Sequence, residues 1–109
     1  MSLTVASRAN PPVGGGKEED LLFLISILDK EDKVEFVRAF SLSFEKMVEE
    51  GELSKTAYYK FLNGYAPSDE RILEIVQENE KAKEWLIERV KEKAKKALQI
   101  IATMEAEEE

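Results

Sequence analysis

The side chains best suited to binding a ligand lie together in one short stretch, residues 53–64, with the sequence LSKTAYYKFLNG. This stretch has two lysines and no Asp or Glu, although the formal net charge of the whole chain is −7. Hydrogen-bonding groups combined with positive charge suit an anionic ligand, and the phosphates and base edges of DNA offer such contacts. The candidate binding residues are Ser54, Lys55, Thr56, Tyr59, Lys60 and Asn63.

The same stretch has the start and stop signals of a short helix. Ser54 is a favoured N-cap residue, and Asn63 with Gly64 tolerates the left-handed backbone that often follows a helix. Apolar residues recur at three- and four-residue steps and form an inward stripe: Leu53, Ala57, Tyr58, Phe61 and Leu62. The six polar residues then share the outward face. We therefore expect a DNA-recognition helix over residues 54–63 that reads the major groove.

The apolar spacing also fits a helix-turn-helix, which needs an apolar residue in the turn, another five positions later and a third three positions beyond. Leu53, Tyr58 and Phe61 provide this set. Residues 53–70, LSKTAYYKFLNGYAPSDE, resemble the second half of the motif in the phage-repressor, Cro-like (XRE) helix-turn-helix family. The resemblance covers roughly residues 36–76. It implies a compact helical bundle whose third helix enters the major groove.

Two positions depart from the family pattern. Val48 stands where the family usually has Ala in the first helix of the motif. Glu52 stands directly before the apolar turn residue, where the family has Gly, and Gly51 comes one position earlier. This shift indicates a turn that is one residue longer.

A second resemblance concerns the start of the chain. Residues 7–18, SRANPPVGGGKE, are similar to the Pro/Gly-rich stretch near the start of integrases from archaeal viruses and plasmids. This resemblance implies an N-terminal, non-catalytic fragment of a tyrosine recombinase. The catalytic Arg/His/Tyr set of such an enzyme is incomplete here, because the chain has no His.

The composition excludes several classes of chemistry. Without Cys or His there is no disulfide, thiol nucleophile, zinc-finger ligation or imidazole base. The acidic pairs at Glu49 and Glu50 and at Asp69 and Glu70 fall at predicted helix ends, where they suit capping and solvation better than acid–base catalysis. No apolar run approaches the roughly 20 residues that a bilayer crossing requires. We therefore expect a cytoplasmic protein that is not an enzyme and has no cofactor, metal site or small-molecule ligand.

The remaining pattern predicts an all-α fold, a small helical bundle with a long C-terminal helix. The apolar run at residues 20–28 favours a helix, with a buried strand as the alternative. Asp32 is the expected cap of the following helix, which we predict as one long helix over residues 33–50, bent near 41–43. Ser68 is the expected cap of the next helix. The predicted organisation is a flexible lead-in at 1–17, a helix-turn-helix bundle at 18–79, a long helix at 80–104 and an acidic tail at 105–109.

The long helix has two interpretations. Its apolar stripe either packs across the preceding helices or buries part of its length against a second copy of the chain. The expected dimerisation residues are Leu86, Val90, Ala94, Ala97, Ile101 and Met104. A homodimer would place two recognition helices about 34 Å apart on a palindromic site, as in many transcriptional regulators. Residues 89–97 are a candidate second basic patch, although a solvated helix face explains them better.

These observations predict a transcriptional regulator that binds double-stranded DNA as a homodimer. The alternative from a different class is a helical protein-interaction or oligomerisation module, with the acidic surface selecting its partners.

Overall fold

Residues 17–107, the part of the chain described by this computed structural model, form six helices and contain no strand. The expected all-α bundle with a long C-terminal helix is confirmed. Residues 1–16 of the proposed lead-in at 1–17, together with residues 108–109, lie outside the described residues, and Lys17 begins α1. The helices are α1 (Lys17–Ile27), α2 (Lys30–Ala39), α3 (Ser41–Glu49), α4 (Lys55–Leu62), α5 (Asp69–Glu78) and α6 (Glu80–Glu107).

The dense apolar run folds as α1, so the helical prediction is correct and the strand alternative is wrong. Three acidic residues in the first turn favour this start, because the N-terminus of a helix carries partial positive charge. Ile25 is fully buried, and Leu28 follows it into the core just after the helix ends. Phe23 remains exposed, which leaves part of the apolar run on the surface.

The helix α2 begins three residues earlier than expected for an Asp32 cap. Asp29 is the N-cap, and its carboxylate accepts a hydrogen bond from the backbone N–H of Asp32 at 2.8 Å. The Asp32 carboxylate accepts one from the backbone N–H of Asp29 at 3.0 Å. This reciprocal pair is a capping box, so Asp32 is the third helical residue and the sequence-based assignment of the cap is corrected.

The segment predicted as one helix over 33–50, bent near 41–43, forms two helices, α2 and α3, and the break lies at Phe40, one residue before the predicted bend. Phe40 has φ −122° and ψ 36°, outside the helical range. Its ring lies 5.0 Å from that of Phe36 and 6.5 Å from that of Trp85. The break is favoured because two serines, weak helix formers, follow Phe40 and because aromatic packing outweighs continuation of the helix.

Glycine turns follow both α3 and α4. Gly51 has φ +80° and follows α3, and the N–H of Glu52 donates to the carbonyl of Met47 at 2.8 Å. Gly64 has φ +101° and follows α4, and the N–H of Tyr65 donates to the carbonyl of Lys60 at 3.0 Å. These are Schellman motifs, which satisfy the last carbonyls of each helix. The expected glycine stop after α4 is therefore correct, and Gly51 ends α3 in the same way.

The core lies where the first half of α6 crosses the other helices. Phe36, Phe44, Ile72 and Leu86 are fully buried there. Aromatic rings join the elements, with Phe44 5.8 Å from Phe61 of α4 in an edge-to-face arrangement. The helix α4 is thus held from behind by the common core of the bundle.

The helix α6 has two halves in different environments. Up to Lys93 it packs on the bundle, and Leu86 has 0% of its surface exposed. From Ala94 to Glu107 every residue is exposed. Glu105 and Glu107 are helical, which corrects the described part of the predicted acidic tail. Leu86 belongs to the chain's own core, so it is not available to a second copy.

Candidate nucleic-acid interface

The helix predicted over residues 54–63 is present as α4, with the caps that the sequence indicates. The Ser54 hydroxyl accepts a hydrogen bond from the backbone N–H of Ala57 at 3.1 Å. Leu53 and Tyr58 are buried, and Phe61 packs against the core at its edge. Leu62 is 39% exposed, so its place in the inward stripe is corrected. The helix is eight residues long, and this packing positions it against the bundle.

All six candidate residues lie on the outward face. Tyr59 has 58% of its surface exposed, and the other five are also exposed. Neither Lys55 nor Lys60 forms an ion pair with any residue of the range 17–107. Their charges are therefore not neutralised by an acidic side chain within that range. The face as a whole can offer two cations and several hydrogen-bonding groups to an anion.

Two of the six residues also stabilise the helix itself. Ser54 uses an oxygen lone pair to cap the first turn, which leaves its O–H free to donate. The Asn63 side-chain amide donates to the carbonyl of Tyr59 at 2.9 Å, which leaves its oxygen as an acceptor. Both side chains can thus contact a ligand at one atom while a second atom holds the backbone.

An acidic residue of α3 contacts α4. The Tyr58 hydroxyl donates to the Glu45 carboxylate of α3 at 3.1 Å. Burial raises the pKa of Tyr58, and the hydrogen bond and charge of Glu45 raise it further. The sequence pattern predicted Tyr58 only as a core residue. The signal for a polar partner was its hydroxyl, because a buried O–H normally finds an acceptor.

A basic residue that the sequence interpretation missed lies near the other end of α4. Arg38 of α2 lines a shallow groove with Lys30 and Gly64. Arg38 is exposed and has no acidic partner in the described range, whereas Glu31 and Glu35 line the same groove. No motif pointed to Arg38, because it precedes the recognition helix by a whole helix and a turn.

The candidate second basic patch at 89–97 is largely neutralised. Arg89 contacts the carboxylates of Asp32 and Glu35 at 2.7 and 3.0 Å, and its guanidinium lies 4.6 Å from the centre of the Trp85 ring. Lys93 contacts Asp32 at 2.8 Å, and Lys91 contacts Glu88 at 3.4 Å. These basic groups hold α6 to α2 or pair along α6.

Two of the paired carboxylates, Asp69 and Glu50, lie in surroundings that do not suit acid–base catalysis. Asp69 forms an ion pair with Lys33 at 2.7 Å, and this pair joins α5 to α2. A surface groove between α3 and α5 contains several acidic side chains, among them Glu50 and Glu74, and suits neither DNA nor another anion. Within residues 17–107 no group of three metal-ligating side chains comes together.

Comparison of the chain with protein-family models, curated proteins and solved structures finds no match. The resemblances to the Cro-like family and to archaeal integrases therefore stay predictions from the residues. None of the six helices in the described range combines the length and apolar character needed to cross a bilayer.

Proposed function

We propose that this chain is a cytoplasmic, sequence-specific double-stranded DNA-binding protein that regulates transcription, with α4 entering the major groove. The observation that carries the proposal is the outward face of α4. It is free of carboxylates, it bears Lys55 and Lys60, and it belongs to an otherwise acidic chain. The helix–turn–helix order of α3 and α4 and the core contacts of Leu53, Tyr58 and Phe61 add support.

Each residue of the face has a role in this proposal. Ser54 and Thr56 contact phosphates or base edges near the start of the helix. Lys55 and Lys60 contact phosphates or guanine, Tyr59 contacts a base edge or sugar, and Asn63 contacts the backbone. Arg38 adds a phosphate contact from α2, on the strength of its exposure beside Gly64.

The proposal includes a homodimer formed through the exposed half of α6. Ala94, Ala97, Ile101 and Met104 remain accessible there, and Val90 lies at the edge of the core. Two copies joined in this way present two recognition helices to neighbouring turns of one duplex, about 34 Å apart.

The test compares two charge-reversal variants that carry the same change in net charge. Lys55→Glu with Lys60→Glu abolishes binding to a fluorescent 30-base-pair random duplex at low salt, because the face then repels phosphate. Lys95→Glu with Lys96→Glu is the matched control. These lysines are exposed on α6 and have no acidic partner in the described range. The control retains most of the affinity, and circular dichroism checks that both variants keep the helicity of the parent.

A salt titration of the parent protein completes the test. The logarithm of its affinity falls with the logarithm of salt concentration, by about one unit of slope per phosphate contacted. Equal loss of binding in both variants would contradict the assignment to α4. Undiminished binding by the Lys55/Lys60 variant would contradict it as well.

A helical protein-interaction module is the second candidate, favoured by one specific observation. Tyr59, Leu62 and Tyr65 are all exposed on or just after α4, and aromatic residues are frequent in protein interfaces. A protein of this kind does not bind the duplex at any salt concentration. The recombinase-fragment alternative rests on residues 7–18, nearly all of which lie outside the described range.

A further inference from the structure

The second half of α6 is a helical arm whose residues are all exposed. All residues from Ala94 to Glu107 are exposed, including Leu98 at 66% and Met104 at 58%. Isolated helices of this length are only marginally stable in water, and most helical stability in proteins comes from packing of an apolar face. An arm that keeps an apolar stripe along its whole length therefore needs a partner for that stripe.

The stripe follows a heptad register. Its steps alternate strictly between three and four residues, and Leu86 is not part of it because it lies in the core. Residues at such positions form the seam of a coiled coil, flanked by the neighbouring e and g positions. The seam residues are Ile87, Val90, Ala94, Ala97, Ile101 and Met104.

The sizes of the seam residues favour one direction of pairing. The two alanines come first along the arm, and the two large residues, Ile101 and Met104, come last. Parallel helices would place Ala94 against its own copy and leave a gap, because each layer would hold equal residues. Antiparallel helices place Ala94 against Met104 and Ala97 against Ile101, so that small meets large in each layer from Ala94 to Met104.

The charges beside the seam favour the same direction. Lys91 and Lys93 occupy the e and g positions at the start of the arm, and Glu105 and Glu107 occupy them at its end. Parallel helices bring like charges to the same level. Antiparallel helices bring Lys91 opposite Glu105 and Lys93 opposite Glu107, which is the attractive arrangement.

We propose that a second copy of this chain covers the arm as an antiparallel two-helix coiled coil, with its two-fold axis at Gln99. This inference rests on the proposed homodimer and specifies its geometry. The seam residues of the arm whose numbers add to 198 then face each other. The Val90 residues of the two copies are separated by about 18 residues, or about 27 Å, along the helix axis. The two bundles thus lie at opposite ends of the coiled coil.

Cysteine cross-linking tests the direction in the full chain, since the protein has no native Cys. A mixture of the Ala94→Cys and Met104→Cys variants forms a disulfide between unlike chains under mild oxidation. Ala94→Cys alone does not cross-link, because its two sulfurs lie about 15 Å apart along the axis. Mass spectrometry of the linked peptides identifies the pair.

Two aspartate variants test the surface itself by sedimentation equilibrium without DNA. Ile101→Asp raises the dimer Kd by at least about tenfold, because it buries an unpaired charge in the seam. Gln99→Asp is the matched control on the outward face of the same arm, and it leaves the Kd unchanged. Circular dichroism verifies that both variants remain folded.

The possible failures are distinguishable. A parent protein that stays monomeric at all concentrations overturns both the proposed homodimer and its direction. A dimer in which Ala94→Cys links to itself overturns only the antiparallel arrangement. A dimer that Ile101→Asp does not weaken overturns the assignment of the interface to the arm. DNA binding by α4 is measured separately with the Lys55 and Lys60 variants.

Discussion

At the scale of single residues, the carboxylate of Asp32 joins three parts of the fold. It accepts the backbone N–H of Asp29 at 3.0 Å, the guanidinium of Arg89 at 2.7 Å and the ammonium of Lys93 at 2.8 Å. Burial by itself would raise the pKa of Asp32. The hydrogen bonds from Lys93, Asp29 and Arg89 outweigh that effect and lower the pKa from 3.8 to about 2. The ionised form is therefore stabilised in the folded state.

This lowered pKa predicts acid sensitivity. Asp32 contributes stability that is fully present above its unfolded pKa, near 4, and that is lost as the pH falls toward the folded value of about 2. The expected loss is about 2 kcal/mol in the free energy of unfolding, measured by urea denaturation between pH 5 and pH 2. Asp32→Asn removes this part of the pH dependence, and an unchanged slope in that variant would show that other carboxyl groups cause it.

A second residue-scale prediction concerns Glu45. Its carboxylate accepts the hydroxyl of Tyr58 in α4, so its negative charge lies within a Debye length of the proposed DNA-binding face and repels phosphate there. Glu45→Gln keeps an acceptor for Tyr58 and removes the charge. We expect duplex affinity to rise about twofold to fivefold at low salt and the gain to vanish at high salt. Glu84→Gln, on α6, is the control with the same charge change, and an equal gain there would point to net charge alone.

At the scale of elements, α4 depends on the turns that bound it. An eight-residue helix is too short to be stable alone, so its caps and its core contacts must supply the stability. Gly51 and Gly64 both have positive φ, and a Cβ at either position would meet nothing within 4 Å. A side chain there is thus disfavoured by the backbone conformation and not by a clash.

Substitution of either glycine tests this view. Gly51→Ala and Gly64→Ala should each lower the free energy of unfolding by about 1–2 kcal/mol, because a left-handed backbone is unfavourable for alanine. Gly64→Asn should cost less, since Asn tolerates that conformation. Urea denaturation measures all three. Equal costs for Ala and Asn at position 64 would contradict the conformational explanation.

The sequence predicted the elements whose signals are local. Ser54 and Ser68 cap their helices as expected, and each donor in these caps lies three residues away. A bend near 41–43 was predicted, but its place at Phe40 was not, since that depends on packing against Trp85, which is distant in the sequence. The same reason hid the positions of Arg38 and Glu45 beside α4. Local chemistry encodes helix ends, whereas the surroundings of the site depend on the tertiary fold.

At the scale of the whole molecule, the basic residues divide into two groups. Arg89 and Lys93 are paired with carboxylates of the α1–α2 connection and of α2, so they hold the two halves of the bundle together. Lys55 and Lys60 have no such partner within residues 17–107. A net charge of −7 therefore does not describe the field near α4, because local charges dominate within a Debye length of about 8–10 Å.

The division of α6 gives the last prediction. Truncation after Lys93 removes only exposed residues of the described chain and retains Ala82, Leu86 and the ion pairs of Arg89. We therefore expect the free energy of unfolding of the monomer to change by less than about 0.5 kcal/mol, while sedimentation equilibrium shows loss of the dimer. Truncation after Asn79 is the contrasting control. It removes the buried Ala82 and Leu86 and should unfold the bundle, because burial of such side chains supplies much of its stability. A stable dimer of the chain ending at Lys93 would assign dimerisation to the bundle instead of the arm.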